Sequence, residues 1–131
     1  MDKNQTNIVN LLNAENISLP IIQSVSSKGI KIDNKNYNNN IIIDQKGVKP
    51  WELINQNISP DDFKYLLARD SIPELIIIGV GDLLDNPYYE LREYFSNQKI
   101  PFDIMTTRSA CRTWNFLIAE RNNICVHLIL D

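Results

Sequence analysis

Metal ligands are nearly missing from this 131-residue chain, which has one histidine, His127, and two cysteines, Cys111 and Cys125. A structural zinc site takes four nitrogen or sulfur ligands, so no metal site is expected. The cysteines form no CxxC pair, and a reduced, cytoplasmic setting fits two separate thiols. No apolar run approaches the ~18 residues of a membrane-spanning helix, so no membrane span is expected. The start, MDKNQTN, is polar. It lacks the apolar core of a secretory signal and the Arg/Ser-rich character of a transit peptide. Lysines and arginines number 13 against 16 acids, for a net charge of -3. They are scattered along the chain without a basic run, so the footprint of a nucleic-acid binder is missing. Glycine is also scarce, with four residues, and two of them, Gly79 and Gly81, stand together. They carry neither the third glycine of a dinucleotide fingerprint nor the lysine of a P-loop, so no cofactor motif is complete.

What is present is a dense set of strand and helix signals, enough for one domain. Residues 1–18 read as an appendage, with Ile8, Leu11 and Leu12 spaced for a short amphipathic helix. Residues 19–131 read as a single domain. Its first part is β: Ile21–Val25, Gly29–Ile32, a return over Lys35–Tyr37, and Asn40–Asp44. Asp33-Asn34 suits a tight hairpin turn, because both residue types tolerate φ > 0. Gln45-Lys46-Gly47 breaks the pattern, and Val48–Trp51 is expected to be a loop that buries Trp51. The second part alternates. Ser59-Pro60-Asp61-Asp62 opens a helix, with Phe63, Leu66 and Leu67 inward. Glu74–Gly79 is a continuous apolar strand. Asn86-Pro87 opens a second helix bearing Tyr88, Leu91 and Phe95. Pro101–Met105 is a strand, a third helix runs from a Thr107 cap to about Arg121, Asn122-Asn123 turns, and Cys125–Leu130 closes the chain. This β-α-β-α-β order predicts an α/β fold in which Glu74–Gly79 and Phe102–Met105 are parallel neighbours.

Strand ends that lead into helix starts are where open α/β sheets hold ligands. Gly79, Gly81 and Asp82 follow one strand, and Thr107, Arg108, Ser109 and Arg112 follow the next. With Thr107 as cap, the N–H groups of Arg108, Ser109 and Ala110 point out of the helix start and offer an anion site. The alternative is ordinary capping, with the arginines solvated or paired to Asp82, Asp103 or Glu120. Cys111, near two arginines and the helix start, has the surroundings of a lowered thiol pKa. Nothing places His127 beside it, so the thiol reads as a small buried group, and His127 as a strand residue with a satisfied hydrogen bond. On a helical wheel Ala110, Trp114, Leu117 and Ile118 face the sheet. Arg112, Phe116 and Ala119 fall opposite, which makes Arg112 and Phe116 a candidate partner-contact pair.

The Gly79-Val80-Gly81 element and the run Thr107-Arg108-Ser109-Ala110-Cys111-Arg112-Thr113-Trp114-Asn115 resemble the Mth938-like domain family over about Ile21–Leu130. Val80 stands where Thr is usual in that family, and Trp114 where Tyr is usual. The resemblance implies a three-layer α/β fold with a mixed central sheet, helices and a small β-hairpin layer. It implies no established enzyme activity and no cofactor. It includes a mitochondrial complex I assembly factor. A non-enzymatic assembly protein that binds a protein partner, another protein or a second copy of itself, is one expectation. A small-molecule or anion-binding enzyme using the crevice at Gly79–Asp82 and Thr107–Arg112 is the other.

Overall fold

The computed structural model describes residues 19–68, 72–120 and 123–130. The expected appendage around Ile8, Leu11 and Leu12 lies outside them, as do Arg121 and Asn122.

The first strands form a three-stranded meander: β1 (Ile22–Ser26), β2 (Gly29–Ile32) and β3 (Lys35–Tyr37), antiparallel in that order. Asp33 and Asn34 join β2 to β3 with φ of 51° and 65°. That left-handed pair is the two-residue turn whose twist matches the flanking strands. β4 (Ile41–Asp44) follows. The expected loop at Val48–Trp51 is instead largely strand: β5 spans Gly47–Pro50 and pairs antiparallel with β4. Gln45-Lys46 does not end the sheet but turns it. Gly47 adopts φ 118°, and the Asp44 carboxylate accepts the Lys46 N–H at 2.8 Å. β5 is an edge strand, which is where Pro50 is tolerated. Trp51 is buried, as expected.

Pro60–Ala68 forms a 3₁₀ helix rather than an α-helix. Its three-residue period aligns Phe63 with Leu66, which are buried, and turns Leu67 outward, against the expectation of an inward Leu67. The buried Asp62 carboxylate accepts the Ser59 N–H at 2.9 Å and the Ile54 N–H at 2.7 Å, clamping the preceding loop. β6 (Leu75–Gly79) leads to α1 (Tyr89–Asn97), β7 (Phe102–Met105), α2 (Thr107–Leu117) and β8 (Ile124–Leu128). Helix α1 begins after Tyr88, whose φ of 53° is left-handed, while the Asn86 carboxamide accepts the Tyr88 N–H at 2.7 Å.

The central sheet has the order β5-β4-β8-β6-β7. β6 runs parallel to β7 and β8, with Ile78 opposite Ile104 and His127, and β4 runs antiparallel to β8. The alternation of β6 and β8 sends their side chains to two cores. Ile77, Val126 and Leu128 pack with α2 and the meander around Ala110, Cys111, Trp114, Ile30 and Ile32. Ile76, Ile78 and Cys125 pack with the 3₁₀ helix and α1 around Trp51, Phe63, Leu66, Leu91 and Phe95. The result is three layers. From β6 the chain steps to β7 through α1 on one face, then crosses to β8 through α2 on the other. The step direction therefore reverses at β6, and a switch of this kind opens a crevice beyond the strand's carboxyl end.

Candidate functional site: the crevice between β6 and α2

Gly79 and Gly81 sit where expected, at the end of β6, and each answers a steric demand. A Cβ on Gly79 would come 2.8 Å from the Thr107 Cα and 3.0 Å from the Ala110 Cβ, so Gly79 lets α2 lie close on the sheet. Gly81 adopts φ 101°, a conformation glycine takes without strain. The backbone around them is stitched to both neighbours. The Val80 N–H donates to Met105 O, the Ile129 N–H to Gly79 O and the Thr107 N–H to Gly81 O, each at 2.9 Å.

The helix cap is Thr106, not Thr107. The Thr106 hydroxyl accepts the Ser109 N–H at 3.2 Å, and its carbonyl accepts the Ala110 N–H at 2.9 Å. Thr107 is the first helical residue and is buried. Its hydroxyl accepts the Gly81 N–H at 2.8 Å and donates to Ile129 O at 2.6 Å, bridging the ends of β6 and β8. Two adjacent threonines share one local pattern; only packing decides which of them turns inward. The N–H groups of Ser109 and Ala110, expected to face a ligand, thus have partners inside the fold.

The rest of the motif is equally occupied. Ala110 fills the space under Gly79. Trp114 is buried and donates its indole N–H to Pro20 O at 2.7 Å. Asn115 accepts the Ile22 N–H and donates to Ile22 O, both at 2.8 Å, as a neighbouring strand would. Cys111 is 3 % exposed. Burial pushes its thiol up to about 12, and the nearby charges of Arg108 and Arg112 offset only part of that. His127 lies across the sheet in the other core, so it is no base for Cys111. Its Nε2 meets the Tyr65 hydroxyl at 2.7 Å, and Trp51 and Phe63 close around its ring.

Beside this framework lies an open groove of about 490 Å³. Its walls are Val25–Gly29 and Asn38 from the meander, Asp82, Thr107 and Arg108 from the crevice, and Ile129 and Leu130 after β8. Of the expected site residues, Asp82, Thr107 and Arg108 line it; Gly79, Gly81, Ser109 and Arg112 do not. Lys28, Ser26 and Ser27 were missed by sequence reasoning, because a turn distant in sequence carries no local sign that it will face α2. Arg108 donates to Val25 O at 3.3 Å, and Arg112 to the Ser109 hydroxyl at 3.3 Å. Phe116 stands on the outer side of α2, 73 % exposed. Among the described residues no group of three His, Cys, Asp or Glu side chains is placed to hold a metal, and no helix is long and apolar enough to cross a membrane.

This architecture of three layers, with α2 seated on Gly79 at the end of β6, defines a class of α/β domain. The solution structure of a Mth938-like domain from Bordetella pertussis superposes with a TM-score of 0.56 at 20% identity, covering 86% of each chain. A model of the family described as "Protein of unknown function (DUF498/DUF598)" matches residues 22–129, and the chain belongs to that family. Its relatives include the fruit-fly NADH dehydrogenase [ubiquinone] 1 alpha subcomplex assembly factor 3, 30% identical over 87 residues, which make up 64% of this chain and 44% of that protein. They also include a Francisella tularensis protein named 13 kDa major membrane protein, 29% identical over 122 residues, 90% of this chain and 98% of that protein. The chain spans less than half the length of the fly assembly factor.

Proposed function

We propose that this protein works by binding another protein, as an assembly partner during maturation of a respiratory complex, and turns over no substrate alone. The observation that carries this reading is the division of labour along α2. Thr107, Ala110, Cys111, Trp114 and Asn115 are consumed by ties within the fold, while Arg112 and Phe116 are left outside. Aromatic and arginine side chains are the usual anchors of protein interfaces. The names of the assembly-factor relatives point the same way. Two buried free thiols suit a reducing, cytoplasmic location. In the test, Phe116→Ala leaves stability within about 0.5 kcal/mol of wild type, as for an exposed side chain. It weakens capture of the partner from host lysate. A host lacking the protein but assembling its respiratory complexes normally refutes the respiratory part.

A second reading is favoured by the groove itself. Its volume falls in the range of small-ligand pockets, about 300–1,000 Å³. In this reading Asp82, Thr107 and Arg108, joined by Lys28, line an anion or small-molecule site, while Gly79, Gly81, Ser109 and Arg112 frame it from outside the groove. Phosphate titration followed by amide NMR supports it if Arg108 and Gly81 shift first and saturably; shifts confined to other surfaces reject it.

A further inference from the structure

Charges scattered along the sequence are gathered in space. The meander and α2 together carry Lys28, Lys31, Lys35, Arg108 and Arg112 against one carboxylate, Asp33, although the whole chain has a net charge of -3. Everything outside this layer is therefore more acidic than the molecule as a whole. The layer is contiguous. β1 lies alongside α2 in the opposite direction, since Ile22 is bonded to Asn115 and Val25 to Arg108. Arg108, Arg112 and Phe116 recur every four residues, so they form one exposed stripe about 12 Å long at 1.5 Å per residue. Helix α2 contains no carboxylate. Among the described residues neither arginine pairs with one; their polar contacts are the single bonds of 3.3 Å to Val25 O and to the Ser109 hydroxyl. At the end of the stripe away from Phe116 the surface is concave, where Lys28 and Arg108 flank the groove.

We infer that this face docks a short acidic segment of the partner protein, with its carboxylates over Arg108, Arg112 and Lys28 and an apolar side chain against Phe116. The inference rests on the protein-binding reading and names the partner's chemistry. Two observations choose the occupant. The excess of Lys28, Arg108 and Arg112 over Asp82, the one carboxylate lining the groove, selects an anionic occupant, and the groove at one end selects a chain that enters a concavity over a flat bilayer. Long-range attraction between the basic layer and an acidic segment would also orient the encounter.

The test uses the full chain and a synthetic glutamate–leucine peptide, with a lysine–leucine peptide of equal length and phosphatidylglycerol vesicles as comparisons. Amide NMR should show shifts at Lys28, Arg108, Arg112 and Phe116 with the acidic peptide, and none with the basic one. Affinity should fall as salt rises. Arg108→Gln and Arg112→Gln should each weaken the peptide about two- to five-fold, the range of an exposed charge pair. Shifts elsewhere, salt-independent binding, or equal binding of both peptides overturn the inference. Tighter binding to the vesicles through the same residues also overturns it and makes the face a membrane surface. Suppose Phe116→Ala weakens capture of the native partner while both arginine changes leave capture and peptide binding intact. Then the acidic chemistry is wrong and the protein-binding reading stands. If none of the three changes alters capture, the face itself is wrong.

Discussion

Replacing Thr107 with valine tests whether the motif's first residue serves the fold or a ligand. Valine keeps the branched shape, and its helix propensity is close to that of threonine, so the change removes the hydroxyl and little else. Two backbone groups then lose their partner: the Gly81 N–H, bonded at 2.8 Å in a buried setting, and the Ile129 carbonyl, bonded at 2.6 Å and partly buried. Leaving a buried donor unsatisfied costs about 1–3 kcal/mol. The partly buried carbonyl can recruit water, which holds its share near the ~1 kcal/mol of an ordinary lost bond. The expected loss is about 2–4 kcal/mol. A domain of this size loses roughly 3–4 °C in Tm per kcal/mol, so the midpoint should fall by about 6–16 °C. Urea denaturation should show a lower midpoint at unchanged m-value. Thr107→Ser, which retains the hydroxyl, should recover most of the loss. A valine variant within about 0.5 kcal/mol of wild type would refute the reasoning. The hydroxyl would then be dispensable to the fold and available to a ligand in the groove.

Gly79→Ala should destabilise by about 1–3 kcal/mol or more, because the new methyl meets the Thr107 Cα, a backbone atom that cannot swing aside; thermal melts check this. Asn115→Ala should release β1 locally, since both Ile22 backbone groups lose a bond, and hydrogen exchange at the Ile22 amide should accelerate well beyond that of Ile30. Cys111 should alkylate slowly in the folded protein at neutral pH, and rapid labelling near pH 6 would reinstate a catalytic thiolate. The same thiol gives a pH dependence. Its value is raised in the fold from 9.0 to about 12, so the neutral form is the one favoured when folded. That contribution is complete below pH 9 and declines as pH rises towards 12, by up to about 1.4 kcal/mol per unit. Urea midpoints across this window should fall less steeply for Cys111→Ala than for wild type.

Several elements of this protein were legible because their cause is local. The run Leu75–Gly79 is apolar without alternation, as a strand covered on both faces must be. Asp33-Asn34 demands a left-handed turn whatever surrounds it. The wheel of α2 separates Trp114 from Phe116 by the helical period alone, and the structure buries the first and exposes the second. Other features were decided only by contacts between distant segments. β5 exists because β4 offers an edge to pair with, which overrode the breaker at Gln45-Lys46-Gly47. Thr106 caps and Thr107 turns inward because Gly81 and Ile129 happen to need the same hydroxyl. Cys111 and His127 are parted by the sheet itself, which no spacing in the chain records. The basic layer is the clearest case. Its five cations lie in two segments about 70 residues apart in sequence, and only the docking of β1 along α2 brings those segments into one layer. Period and turn chemistry act over a few residues and survive in the sequence; side-chain partnership acts through space and is settled when the layers pack.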